Sequence, residues 1–149
     1  MVEPDETFTV NLATPTNAAI ADGLGVGTIT DDDTAGGPPT ISISDASVTG
    51  GNAGTRPAAF TITLSAPSTQ PVTVRYATSN GTAVASGDYA AKASTLVTFQ
   101  PGQTSEVVNV QVKGEVVVEP NETFPVTLPT PAGATIADGS GAGTIVNDD

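Results

Sequence analysis

A block of 32 residues occurs twice in this chain, at 2–33 and at 118–149, offset by 116 and matching at 21 positions. The matches fall into two sets. Phe8, Val10 and Leu12 return as Phe124, Val126 and Leu128, with Ile29 returning as Ile145. The first three fall at every second position, the spacing of a strand with one apolar face. Glu3, Glu6, Asp32 and Asp33 return as Glu119, Glu122, Asp148 and Asp149, on the flanks of those strands. A block that keeps both its alternation and its carboxylates is expected to be a β-unit with acidic ends. That is the form of a tandem module that takes a hard cation.

Only the second copy is preceded by β-patterned sequence, from Thr34 to Val117. Residues 40–149 are therefore read as one complete module, 34–39 as a linker, and 1–33 as the C-terminal hairpin of a preceding repeat. Val2-Glu3-Pro4 enters the repeat in its middle, so Met1 is read as a cut point or an added start. Gly36-Gly37 gives the linker freedom and Pro38-Pro39 stiffens its exit. The hairpin, Thr7–Leu12 with Gly27–Thr30, is marginal by itself in water. It is expected to be frayed, docked on an exposed sheet edge, or exchanged with another copy of the chain.

Sixteen glycines and twelve prolines interrupt the chain too often for long helices. Threonine and valine alternate with apolar partners, which favours strands. Seven strands are legible in the module: Thr40–Ile43, Phe60–Leu64, Val72–Tyr76, Leu96–Phe99, Val108–Val112, Phe124–Leu128 and Gly143–Val146. Seven short strands separated by turn residues read as an all-β, antiparallel β-sandwich. The predicted inward face is Ile41, Ile43, Phe60, Ile62, Leu64, Val72, Val74, Tyr76, Phe99, Val110, Val112, Phe124, Val126, Leu128 and Ile145. Pro125 falls inside a strand, which predicts an edge or a bulge there.

The formal net charge is −12, with only Arg56, Arg75, Lys92 and Lys113 as bases. Nucleic acid and anionic membranes require clustered Lys and Arg, so neither is an expected partner. There is no cysteine, hence no disulfide and no thiolate metal site, and no histidine to act as general base or transition-metal ligand. No segment approaches the roughly 20 apolar residues of a membrane helix. A secreted β-protein without disulfides points to a bacterial source.

Glu115, Glu119 and Glu122 lie between the fifth and sixth strands, and Asn147, Asp148 and Asp149 follow the seventh. If those two strands pair, both groups reach the same tip of the sandwich. Asp88, in the loop after the third strand, opens at that end too. Two unit charges about 4 Å apart cost about 4 kcal/mol at an effective dielectric near 20, so such a tip calls for a counter-ion. Calcium takes 6–8 oxygens in flexible geometry, magnesium demands a stricter octahedron, and zinc prefers nitrogen and sulfur. Calcium is the expected ion; the competing reading is that these acids are solvated loop residues. Asp5, Asp22, Asp45, Glu106 and Asp138 are read as surface solubilisers. Catalysis by paired carboxylates is not expected, because these acids sit in exposed Gly/Pro-rich loops rather than an apolar cleft.

Several runs, taken together, resemble the Calx-beta domain. They are Val118-Glu119-Pro120-Asn121-Glu122-Thr123-Phe124, Gly143-Thr144-Ile145-Val146-Asn147-Asp148-Asp149, Tyr76 to Ala83 with Gly87-Asp88-Tyr89, and Phe99-Gln100-Pro101-Gly102-Gln103-Thr104. The resemblance implies an immunoglobulin-like sandwich that binds calcium at one tip, of the kind found in sodium–calcium exchangers, integrin β4 and large bacterial surface proteins. It carries the calcium-binding role to Asp88, Glu115, Glu119, Glu122, Asp148 and Asp149. In the first copy Glu3, Glu6, Asp31, Asp32 and Asp33 fit the same pattern without their partner loops. Three positions depart from it, the first being Glu115, which stands where the family usually has Asp and reaches further. Gly50 stands where the family often has Glu, and Asn147 where it has Asp, so fewer ions or weaker binding is expected.

The function expected from residues and resemblance together is that of a calcium-binding extracellular repeat in a larger surface or secreted protein of the cell-adhesion kind, with the ion ordering the acidic tip and the junction between neighbouring repeats. The alternative is a metal-independent structural spacer.

Overall fold

The computed structural model describes residues 5–30 and 37–149. The chain divides into two compact units, Met1–Gly37 and Pro38–Asp149. In the first, β1 (Glu6–Asn11) and β2 (Leu24–Ile29) form one antiparallel hairpin. β2 begins at Leu24, earlier than the expected Gly27. Glycine at alternate places hides the strand signal, yet here glycine gives room: a Cβ at Gly27 would overlap the Phe8 ring lying across it.

The second unit holds nine strands. They are β3 (Thr40–Ile43), β4 (Ala46–Thr49), β5 (Thr55–Leu64), β6 (Val72–Thr78), β7 (Thr95–Phe99), β8 (Ser105–Lys113), β9 (Glu122–Thr127), β10 (Thr135–Asp138) and β11 (Ser140–Val146). They form two sheets, ordered β10-β3-β5-β8 and β4-β11-β9-β6-β7. All seven expected strands are present, and β4 and β10 are additional. β3 and β4 are two halves of one segment that changes sheets at Ser44-Asp45, β3 lying between β10 and β5 and β4 at the edge of the other sheet. Each half pairs in parallel, β3 with β10 and β4 with β11, so the sandwich is antiparallel except along this border.

Asp45 is part of that crossing. Where β11 loses a strand neighbour, the amide of Ala142 donates to Asp45 Oδ1 at 2.7 Å. An orphan backbone donor is thereby satisfied. Asp22 and Asp138 are likewise turn builders, accepting from the amides of Leu24 (3.1 Å) and Ser140 (3.2 Å). Reading these three acids as mere solubilisers is corrected accordingly.

All fifteen expected inward residues are buried, and Ala58, Ala83, Tyr89, Val97 and Val108 join them. Tyr89 is the largest fully buried side chain. It stacks on Phe124 with ring centroids 4.4 Å apart, and Phe124 meets Phe60 edge-on at 6.2 Å. The Tyr89 hydroxyl, carried into the core, donates to Asn80 Oδ1 at 2.9 Å. Pro125 is neither at an edge nor at a bulge. It lies in an interior strand at the point where the β6 ladder ends, its carbonyl accepting from Ser79 at 3.1 Å.

Candidate metal centre

Four segments meet at one end of the sandwich: the β4–β5 loop, the β6–β7 loop, the β8–β9 loop and the residues after β11. The pairing of β9 with β11 brings two of them together. Glu122 opens β9 opposite Ile145, so Asn147, Asp148 and Asp149 leave β11 beside it. The aromatic core places the third. Asp88 precedes Tyr89, Glu122 lies two residues before Phe124, and those two rings stack. Core packing thus sets the separation of two carboxylates.

The β6–β7 loop is fixed from within. Asn80 Oδ1 accepts from the amide of Ala85 (2.8 Å) as well as from Tyr89. Asp88 Oδ2 accepts from the amide of Val84 at 2.6 Å. Two contacts tie the loop to β9: the Thr123 amide donates to Thr82 Oγ1 at 2.7 Å, and Ala83 N donates to the Thr123 carbonyl at 2.9 Å. Gly81 permits this approach, since a Cβ there would overlap the Thr123 carbonyl.

The β4–β5 loop holds the terminal acids. Asp148 Oδ1 accepts from Gly51 N and Asp149 Oδ1 from Asn52 Nδ2, both at 2.7 Å. Gly51 has φ +77°, which costs glycine little. Gly114 lets the loop lie down, as a Cβ there would overlap the Gly51 carbonyl. On the β9 side, Asn121 Oδ1 accepts from Asn147 N at 3.1 Å.

One carboxylate oxygen from each of Asp88, Glu119 and Glu122 lies within 4.8 Å of the others. Oxygens on opposite sides of one calcium ion, at about 2.3–2.6 Å from it, would be roughly 5 Å apart. The three carboxylates are therefore close enough together to share one calcium ion. They border an open cleft whose wall also includes Glu115, Asn147, Asp148 and Asp149.

The crowding is visible electrostatically. The Glu122 carboxyl is raised above its ordinary value, first by loss of water and then by the charges of Asp88 and Glu119. Glu115 is raised chiefly by hydrogen bonding with Glu119, with partial loss of water and the charges of Glu119, Asp88 and Asp149 adding to it. Lys113 lines the same cleft, but its ammonium is turned to the Ser86 carbonyl at 2.5 Å. Arg56, beside Gly51, donates to the Thr49 carbonyl at 3.4 Å.

Asp88, Glu115, Glu119, Glu122, Asn147, Asp148 and Asp149 thus border a single cleft. Glu6 lies in the other unit, exposed at the start of β1 opposite Ile29. Glu3, Asp31, Asp32 and Asp33 lie outside the described residues. The supporting groups Gly51, Asn52 and Asn121 were not anticipated. Only the repeated Pro-Asp/Asn-Glu context of Asn121 carried a hint of it.

The sequence profile of the Calx-beta domain matches residues 31–149. The fold is similar to that of an apo-form Calx CBD1 domain, with a TM-score of 0.59 and 23% identity over 74% of this chain and 99% of that one. A crystal structure of CBD12 from CALX1.2 gives 0.65 and 23%, over 74% of this chain and 44% of that one. A structure titled as calcium binding domain CBD12 of CALX1.1 gives 0.64 and 23%, over 73% and 46%. No curated protein matches the chain significantly.

Proposed function

The chain belongs to the Calx-beta domain family, and from that premise we propose that its module binds calcium at the acidic tip through Asp88, Glu119 and Glu122. Glu115, Asn147, Asp148 and Asp149 are proposed to complete the set. The observation that carries this reading is the convergence of three carboxylate oxygens within 4.8 Å, Asp88 from the β6–β7 loop and Glu119 and Glu122 from the approach to β9. Bound calcium would balance the carboxylates of the cleft, which far outnumber its one lysine, Lys113. The protein's own contribution is to hold the oxygens in place: the Tyr89–Phe124 stack positions Asp88 against Glu122, and the β4–β5 loop holds Asp148 and Asp149.

We further propose that the module is an extracellular repeat of a larger bacterial surface or secreted protein. The ion would order the tip and the junction with a neighbouring repeat. Absence of cysteine, scarcity of basic residues and internal repetition support this. Among the described residues no helix is long and apolar enough to cross a membrane. Glu3, Glu6, Asp31, Asp32 and Asp33 are proposed to serve a second such tip.

Isothermal titration of the full chain with calcium tests the proposal. A saturable signal is expected, with a dissociation constant of about 10⁻⁴–10⁻³ M, typical of extracellular modules. Glu119→Gln/Glu122→Gln should remove it. Identical null traces from both proteins would reduce the module to a structural spacer.

A further inference from the structure

Lys113 is the one base lining the acidic cleft, beside Asp88, Glu115, Glu119, Glu122, Asp148 and Asp149. Its ammonium donates to a neutral backbone carbonyl, that of Ser86, at 2.5 Å. Its backbone amide donates to the Asp88 carbonyl at 2.8 Å. One residue at the end of β8 therefore holds two carbonyls of the turn that carries Asp88.

That turn contains a conformation in need of support. Ser86 has φ +73°. Residues with a Cβ enter this left-handed region uncommonly and at a cost. Gly87, for which the region would cost little, is the next residue and does not occupy it. The rest of the turn is built on the Ser86 conformation. Ser86 N donates to the Tyr89 carbonyl at 2.9 Å, and the amides of Gly87 and Asp88 both donate to the Val84 carbonyl, at 3.2 and 3.0 Å. Asp88 Oδ2 in turn accepts from Val84 N at 2.6 Å. Release of Ser86 to negative φ would redirect the chain between Val84 and Asp88 and break this set together. The buried Tyr89 ring anchors only the downstream end, and Ser86 and Gly87 are themselves exposed.

Charge alone does not account for Lys113. A cation in the wall repels calcium, so as a mere charge it would weaken the site. Its bond to a carbonyl, by contrast, is charge-assisted and a stronger tie than a neutral one. We propose that Lys113 is a positioning residue. Its ammonium clamps Ser86 in the left-handed form, and so sets one Asp88 carboxylate oxygen within 4.8 Å of one from each of Glu119 and Glu122. The role toward calcium rests on the calcium reading of the tip, whereas the clamp itself exists without the ion.

The test compares four versions of the full chain: native, Lys113→Met, Ser86→Gly and the double variant. Methionine keeps an unbranched stem and removes the ammonium. Glycine at position 86 removes the need for a clamp. In chelator, amide hydrogen exchange is read by NMR. Lys113→Met should speed exchange at the Val84 and Asp88 amides about tenfold, and by less than about twofold when added to Ser86→Gly. The amides of β9 should be unaffected throughout. Calcium affinity is then measured by calorimetry. Loss of the ammonium's repulsion acts alike in both backgrounds, whereas loss of the clamp acts only where Ser86 is present. Lys113→Met should therefore weaken binding about fivefold, because a smaller fraction of the chain has the turn preformed. Added to Ser86→Gly, it should leave binding equal or tighter, a rescue that a general loss of packing around Lys113 would not show. Equal effects of Lys113→Met on exchange in the two backgrounds overturn the clamp, and equal effects on affinity overturn its role toward calcium. If the native chain gives no calcium signal, the reading of the tip fails and the role toward calcium with it, while the exchange ratios still decide on the clamp.

Discussion

At Gly50 the chain has room for a ligand that it lacks. A Cβ there would meet Ile145 Cγ2 at 3.7 Å and both Asp148 Oδ1 and the Val146 carbonyl at 3.8 Å, ordinary contact distances. Gly50→Glu should therefore be accepted sterically and add an oxygen to the cleft. We expect about tenfold tighter calcium binding by calorimetry, near 1.4 kcal/mol. In chelator, the added negative charge should lower the melting temperature by about 1–3 °C. Acidity acts on the same groups. Glu115 and Glu122 are raised above 4.5, so the folded protein holds those protons more tightly than the unfolded chain does. Stability from these groups is fully present below the unfolded value and is lost as pH rises through the folded value. Melting temperature in chelator should thus fall, for these two groups' share, as pH is raised from about 4.5 toward neutrality. Glu122→Gln should flatten that slope. Calcium binding on the acid side of neutrality should release protons, seen as a dependence of the calorimetric heat on buffer ionisation enthalpy. The carboxylates themselves were legible, because repetition separated them from ordinary surface acids. The donors that hold them were not. Gly51 and Asn52 lie 97 residues from Asp148 and Asp149, and no local pattern announces such a contact.

Strands carry the same logic at the next scale. Phe124 lies flat across Gly143, and a Cβ at Gly143 would overlap the ring. The ring cannot retreat, being held by Tyr89 and Phe60. Gly143→Ala should cost about 1–3 kcal/mol as overpacking. For a module of this size that is a fall in melting temperature of about 5–12 °C. Gly27→Ala makes the equivalent collision with Phe8, but that ring is half exposed and free to swing aside. It should leave the module's melt within about 1 °C, as expected for a surface substitution. Scanning calorimetry of the two variants checks the pair, and equal losses would refute the packing argument. The elements that the sequence made readable are those whose alternation places apolar side chains in the core. β4 and β10 escaped because neither carries a fully buried side chain, whereas β3, of the same four-residue length, buries Ile41 and Ile43. Tyr89 escaped because it follows Ser-Gly-Asp, a turn signature, although its ring belongs to the core. Repetition made the hairpin legible, but alternate glycines hid the first half of β2.

Across the whole molecule, a net charge of −12 sets what the fold must tolerate and what an ion can add. The core is built from aliphatic side chains around Phe124, which packs against both Phe60 and Tyr89, and it includes none of the tip carboxylates. Calcium is therefore expected to tune stability rather than to create it. One site with a dissociation constant of 10⁻⁴–10⁻³ M contributes about 0.4–1.4 kcal/mol at 1 mM calcium. That corresponds to a rise in melting temperature of about 2–6 °C, and coupled sites would add to it. Nonspecific screening must be separated from binding, since any salt relieves repulsion among so many acids. In about 0.15 M sodium chloride the screening length is already about 8 Å, and a further millimolar of calcium chloride hardly changes it. Under those conditions the native chain should show the rise. Glu119→Gln/Glu122→Gln should not, and it should melt higher than the native chain in chelator because two crowded charges are gone. Equal calcium-induced rises in both proteins would mean that the ion acts on the diffuse negative surface, and the tip would lose its claim to be a site.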